Sequence, residues 1–199
     1  MSKILHFYFS FTSPYSYIAH TQLAGLAERT QSSIVYHVID LGKIFELTGN
    51  ARPISVPAKR KYLAKDIGCW CKYYNIPFKL SSRFPINTRP ATAGAAIAQK
   101  QGKLPEFVEI VLQAFFVEDR DIADVQVLAE LATKIGLDAD DVAAGVNDLA
   151  ILKEIDAETE AAAKRGVFGA PTFFVGDDMY FGSDRLMFVE QALKKDEVC

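Results

Sequence analysis

The chain has 199 residues, half of them apolar and about a quarter charged, with a net charge of −3 at pH 7. That length suits one sizeable domain, or a core domain carrying an insertion, with the composition of an ordinary globular protein. The near-neutral charge, without a basic block, argues against nucleic acid or an anionic membrane as partner. No run reaches the roughly 18 uninterrupted apolar residues of a membrane span.

Residues 3–11 (KILHFYFSF) are almost continuously apolar and aromatic, which predicts a central strand buried on both faces. A strand so near the start leaves no room for a secretory signal, so the chain is expected to be cytoplasmic. Pro14 suits the first position of a helix, and Ser13 then becomes the natural N-cap. Ile18, Ala19, Leu23, Leu26 and Ala27 follow at helical spacing. Residues 33–40 (SIVYHVID) predict a second strand, so the first 40 residues form a β-α-β unit.

From Leu41 to about Ala150 the pattern is helical, broken by Pro- and Gly-containing loops, with no convincing strand. Helices are expected at Pro57–Tyr74, 91–101, Leu104–Phe116, 125–135 and 139–149. Loops are expected at 49–57 (GNARPISVP) and 77–91 (PFKLSSRFPINTRPA), and this region brings Asn50, Arg52, Lys59, Arg83, Asn87 and Arg89. A helix at 152–165 precedes PTFFV and DMYF, which read as a hairpin across Gly176-Asp177-Asp178, with Leu186–Lys194 as the closing helix. Without its helical block the order is β-α-β-α-β-β-α. The fold class is therefore α/β: a thioredoxin-like domain (1–45 and 151–199) with a large inserted all-helical domain (46–150) over its active-site edge.

The three cysteines are Cys69, Cys71 and Cys199. Cys69 and Cys71, two apart on a helix, point about 200° from one another, so they read as reduced, partly buried thiols rather than a redox pair or zinc knuckle. Cys199, as the last residue, is expected to be mobile. The three histidines, His6, His20 and His37, stand outside any motif and read as structural or surface residues.

Three stretches carry chemistry. In Ser13-Pro14-Tyr15-Ser16, two serines occupy the spacing at which thioredoxin-type enzymes carry C-x-x-C. Ser13 either simply caps the helix or also acts on a ligand. A helix N-terminus favours an anion, but a serine needs a general base to ionise. Ser13 is then better cast as a hydrogen-bond donor to a thiolate on a bound thiol cofactor. In Gly169-Ala170-Pro171-Thr172 the X-Pro bond is a plausible cis peptide. Either this is an ordinary loop-to-strand turn, or Ala170 offers both backbone groups to an extended, peptide-like ligand. In Phe181-Gly182-Ser183-Asp184-Arg185, Ser183 or Asp184 caps the last helix, or Ser183 and the helix N–H groups take a carboxylate while Asp184 takes an ammonium. A thiol, an extended peptide backbone and an amino-acid terminus occur together in glutathione.

On these residues the sequence resembles the 2-hydroxychromene-2-carboxylate isomerases and kappa-class glutathione transferases, a branch of the DsbA-like thioredoxin fold. The resemblance runs over essentially the whole chain: SPYSY, GN…P…K…Y at 49–62, xxYxIP at 72–77, RGVFGAPTFFVG at 165–176 and FGSDRL at 181–186. It implies that Ser13 is the catalytic serine activating the glutathione sulfur. The Ala170 backbone, before a cis Pro171, would pair with the cysteinyl part, and Ser183 and Asp184 would hold the γ-glutamyl end. Asn50 and Lys59 would approach glutathione from the helical side, Lys59 toward the glycyl carboxylate. Ser10 departs from the family, which usually has aspartate there. The resemblance implies a homodimer and a glutathione-dependent isomerase giving trans-o-hydroxybenzylidenepyruvate. A kappa-type transferase or peroxidase is the alternative, and a non-enzymatic glutathione- or peptide-binding module a third reading. Asn87, Arg89 and Arg52 are candidates for the substrate carboxylate, and Phe9, Tyr15, Phe84 and Trp70 for aromatic walls.

Overall fold

In the computed structural model, which describes residues 3–194, the apolar N-terminal run becomes β1 (Ile4–Phe9), an interior strand of a four-stranded sheet. β2 (Ser33–Val38) flanks it in parallel, β3 (Thr172–Val175) runs antiparallel on the other side, and β4 (Asp178–Phe181) forms the far edge. Cys199 lies outside the described residues. Strand alternation sends Leu5, Phe7 and Phe9 to one face, all fully buried, while Tyr8 joins a separate cluster on the other.

The first face is aromatic. Phe7 stacks on Phe173 at 5.3 Å and on Phe9 at 5.2 Å, and Phe11 meets Phe107 edge-on at 6.5 Å. Helix α1 (Pro14–Thr30) packs there through Ile18, Leu23 and Leu26. Burying each such phenylalanine contributes about 1.5–3 kcal/mol. The helical block consists of α2 (Leu41–Thr48), α3 (Pro57–Tyr74), α4 (Arg89–Lys100), α5 (Leu104–Phe116), α6 (Val125–Lys134) and α7 (Ala139–Gly145). Its residues Phe107, Phe115 and Phe116 belong to the same core as Phe7, so sheet and insertion share one apolar interior. On the second face, Ile44 of α2 and Ala162 of α8 (Leu149–Lys164) cover Tyr8 and Phe174. Helix α9 (Leu186–Lys194) closes the chain through Leu186, Val189 and Leu193.

Four features differ from the sequence expectation. The first strand ends at Phe9, because the Ser13 N–H closes a turn onto the Ser10 carbonyl at 3.0 Å. Helix α2 was not singled out, although Asp40 caps it by accepting from the Lys43 N–H at 3.1 Å and Gly49 ends it at φ 69°. The helix expected at 139–149 stops at Gly145, and α8 starts early because Asp148 caps it through the Ala150 N–H at 2.7 Å. A short 3-10 turn, Pro53–Ser55, interrupts the first expected loop. The expected limits at 45/46 and 150/151 fall inside α2 and α8, both of which pack on the sheet side. Among the described residues, no helix is long and apolar enough to cross a membrane.

The histidines are tied into this architecture. His6 Nδ1 lies 2.9 Å from His37 Nε2, and His37 Nδ1 lies 2.7 Å from a Glu158 oxygen. His20 packs edge-on against Tyr36 at 5.9 Å, and its buried Nδ1 has no hydrogen-bond partner among the described residues. Burial pushes its pKa down from 6.5 to about 4. The unfolded chain takes that proton first, so the stability present in full above pH 6.5 is lost as pH falls toward 4, by about 3 kcal/mol in all. His20→Phe is expected to reduce the loss of unfolding free energy between pH 8 and pH 5, measured by urea titration. The remaining slope belongs to His6, whose pKa is lowered by burial and then by His37 and Arg165. An unchanged slope would exclude His20 as its source.

Candidate active site

Ser13 stands where β1 hands over to α1. Its backbone is extended, at φ −92° and ψ 111°, and its hydroxyl oxygen accepts the Ser16 N–H at 3.1 Å as an N-cap. The same hydroxyl donates to the Ala170 carbonyl at 3.0 Å. Capping and a cross-chain link are therefore made by one side chain that is only 5% exposed. The first turn of this 17-residue helix carries no acidic residue, so nothing within it offsets the positive end of the dipole.

The loop that receives this hydrogen bond is held carbonyl by carbonyl. The Phe168 oxygen accepts from Asn50 Nδ2 at 3.0 Å and the Gly169 oxygen from Thr172 Oγ1 at 2.8 Å. The Ala170 oxygen accepts from Ser13, and the Pro171 oxygen from the Gly182 N–H at 3.0 Å. Four consecutive acceptors are thus satisfied, three from elsewhere in the chain and one by Thr172 at the end of the loop itself. The Ala170–Pro171 bond is cis. The Ala170 N–H makes no hydrogen bond among the described residues, which leaves a donor beside the Ser13 hydroxyl.

Gly182, at φ 103°, occupies the region that side chains disfavour, and it turns β4 into the 3-10 turn Ser183–Arg185 ahead of α9. The cap position of that turn is Gly182, which has no side chain to offer. Ser183 is 2% exposed, and Asp184 pairs with Arg185 at 2.5 Å. Both line a groove of ≈ 570 Å³ with Asp66, Trp70 and Tyr74 of α3.

The sequence reading missed Asp66. Its carboxylate accepts from the Tyr15 hydroxyl at 2.6 Å and from the Tyr62 hydroxyl at 3.1 Å. Burial, then Asp66, raises the Tyr15 pKa well above the usual phenol range, so Tyr15 stays a donor. The one available signal was Tyr62 and Asp66 at helical i, i+4 spacing.

Ser13, Ala170, Pro171, Ser183, Asp184 and Asn50 are therefore gathered around one loop. Lys59 is exposed in the first turn of α3 and forms no ion pair among the described residues. Arg89 is committed elsewhere, to Asp156 at 3.2 Å and Asp40 at 3.6 Å, and Asn87 accepts the Arg89 N–H. Phe9 is core, while Trp70 lines the groove. Ser10 is fully buried and its hydroxyl has no hydrogen-bond partner among the described residues. Among the described residues, no group of three or more His, Cys, Asp or Glu could hold a metal ion.

A mixed sheet with a cis-proline loop facing the first helix N-terminus, and helices inserted between β2 and α8, defines the class. The chain belongs to the DSBA-like thioredoxin domain family, whose model matches residues 4–194. It is an enzyme of the branch that contains the 2-hydroxychromene-2-carboxylate isomerases and kappa-class glutathione transferases. It is 33% identical to the 2-hydroxychromene-2-carboxylate isomerase of Pseudomonas sp. (strain C18), over 96% of this chain and 90% of that protein. A solved structure of a 2-hydroxychromene-2-carboxylate isomerase matches with a TM-score of 0.89 at 31% identity, covering 96% and 95% of the two chains. Glutathione S-transferase kappa 1 of Rattus norvegicus is 25% identical over 92% of this chain and 88% of its own.

Because Ser13 both caps α1 and holds Ala170, Ser13→Ala is expected to lower the unfolding free energy by about 1–2 kcal/mol. Asn50→Ala, which frees the Phe168 carbonyl and the Ala51 N–H at exposed positions open to water, is expected to cost less than about 1 kcal/mol. Urea denaturation of both variants reads the difference, and equal losses would contradict the double role of Ser13.

Proposed function

We propose that the protein is a glutathione-dependent isomerase of 2-hydroxychromene-2-carboxylate-type aromatic catabolites. The observation that carries this reading is the pair of groups at Ala170: an unpartnered N–H, and a carbonyl already bonded to the Ser13 hydroxyl. An extended peptide backbone can pair with that N–H, which brings its cysteine sulfur toward Ser13 and the end of α1. The residues present suit glutathione. Ser183 and Asp184 offer a hydroxyl and a carboxylate to the γ-glutamyl end, while Asn50 and Lys59 would approach from the helical side, Lys59 toward the glycyl carboxylate.

Bound glutathione would supply a thiolate that adds reversibly to the unsaturated substrate, allowing ring opening, bond rotation and release of trans-o-hydroxybenzylidenepyruvate with the cofactor regenerated. Ser13 serves as donor toward that sulfur. Its O–H donates to the Ala170 oxygen and would turn from there to the sulfur, at a net cost of about 1 kcal/mol. Accepting the Ser16 N–H polarises the hydroxyl and strengthens it as a donor. Lowering a thiol pKa by two units requires about 2.7 kcal/mol, within reach of a charge-assisted hydrogen bond added to a helix dipole. Disulfide exchange is outside this chemistry, since neither Ser13 nor Ser16 can form a disulfide.

The higher identity to the isomerases than to the kappa transferases favours isomerisation over conjugation. The same reading includes a homodimer, which sedimentation equilibrium reports directly. With purified protein, the chromene carboxylate is expected to be converted while the glutathione titre stays constant. A thioether product with equivalent thiol loss would replace this reading with the kappa-type transferase. Ser13→Ala is expected to lower kcat by about 100-fold, with the thiolate absorbance of bound glutathione at pH 7 lost in parallel. Unchanged turnover in that variant would remove Ser13 from the chemistry.

A further inference from the structure

Half-buried Phe168, at the start of the loop held by Ser13, meets exposed Phe181 at the end of β4. Phe168 and Phe181 lie with ring centroids 4.6 Å apart at 48°, and Phe181 is 43% exposed. Neither residue is free to drift. The Phe168 carbonyl is held by Asn50, and the residue after Phe181, Gly182, donates its N–H to the Pro171 oxygen. Between them, Gly169 admits no side chain, since a Cβ there would stand 2.7 Å from the Phe181 ring. The Phe181 ring therefore covers the backbone one residue before Ala170, and only glycine lets it lie so close.

The strand register decides which way this surface faces. In β4, Tyr180 pairs with Phe173 of the aromatic core face, whereas Met179 pairs with Phe174 of the opposite face. Phe181, two residues from Met179, shares that opposite face. It thus points away from the α1 and α9 side, where Ser183 and Asp184 line the groove assigned to the amino-acid end. Met179, 41% exposed, extends the apolar surface along the edge strand. Fixed, half-exposed rings beside a polar loop match a flat apolar ligand that stacks with offset or tilted geometry.

We propose that the Phe168–Phe181 pair is the shelf that takes the ring system of the electrophile, a planar aromatic carboxylate, and sets the enzyme's preference for fused or substituted rings. This rests on reading the Ser13–Ala170 loop as the thiolate site, and it deepens that reading. The two residues bind and position; the bond changes belong to the sulfur and the substrate.

The test uses the full chain with saturating glutathione and a non-reactive fused-ring probe, 1-hydroxy-2-naphthoate, titrated by calorimetry. Phe181→Ala and Phe168→Ala are each expected to weaken the naphthoate by about five-fold, while glutathione affinity stays within about two-fold of wild type. Phe181→Trp is expected to retain binding, and Leu149→Ala, at a position 72% exposed on α8, to behave as wild type. In turnover, the alanine variants are expected to raise KM more than they lower kcat. The proposal is overturned if wild type does not bind the naphthoate. It is equally overturned if both alanine variants bind the probe as tightly as wild type, or if probe and glutathione binding fall in step. A wild type that binds the naphthoate through these rings but does not convert the chromene would remove the isomerase reading and leave the shelf standing.

Discussion

Four successive carbonyls, from Phe168 to Pro171, are each held, three by separate segments of the chain and one by Thr172 next in the chain, and the site depends on that arrangement. A loop with its acceptors satisfied has little reason to rearrange, so the orientation of Ala170 is set before any ligand arrives. One of the four donors is the residue assigned to chemistry. Ser13 thereby registers the first helix against the loop, and the two halves of the site are positioned relative to each other by a side chain that belongs to both.

The sheet makes that meeting possible. Tyr8 of β1 pairs with Thr172 of β3, so the end of one strand and the start of the other lie side by side. The turn carrying Ser13 and the loop carrying Ala170 must then emerge at the same edge. Aromatic packing of Phe7 against Phe9 and Phe173 fixes that edge from below, and Phe11 carries the same core into the inserted helices through Phe107. The insertion is bound to the sheet by shared apolar surface, which is why α3 can supply a wall to the groove beside Ser183.

Replacing thiols by hydroxyls at the first turn changes what this scaffold does while keeping its geometry. A hydroxyl cannot exchange disulfides, but at an N-cap it can accept from the helix and donate outward at once. The aromatic pair beside the loop and the polar turn at Ser183 lie on different sides of the sheet. In the proposed reading, an amino-acid terminus and a flat apolar ring would therefore be held separately.

Much of this was legible in the sequence. Pro57–Tyr74, Leu104–Phe116 and Leu186–Lys194 coincide with the expected helices, because their apolar periodicity and their starts are unambiguous. Ser13, Ala170, Pro171, Ser183 and Asp184 were legible because Pro, Gly and Ser mark turns whose geometry is local. The short helix α2 was not, since eight residues leave too little periodicity beside two glycines. Nor was Asp66, whose role comes from Tyr15, a residue 51 positions away. Sequence alone determined most of the longer elements and the main turns, because those follow from propensities within a few residues. Tertiary structure alone decided that the Ser13 hydroxyl donates to the Ala170 carbonyl, that Arg89 is spent on Asp156, and that Phe181 lies over Gly169. Those contacts join residues up to 157 positions apart, and only strand pairing and the shared core bring them within hydrogen-bonding distance.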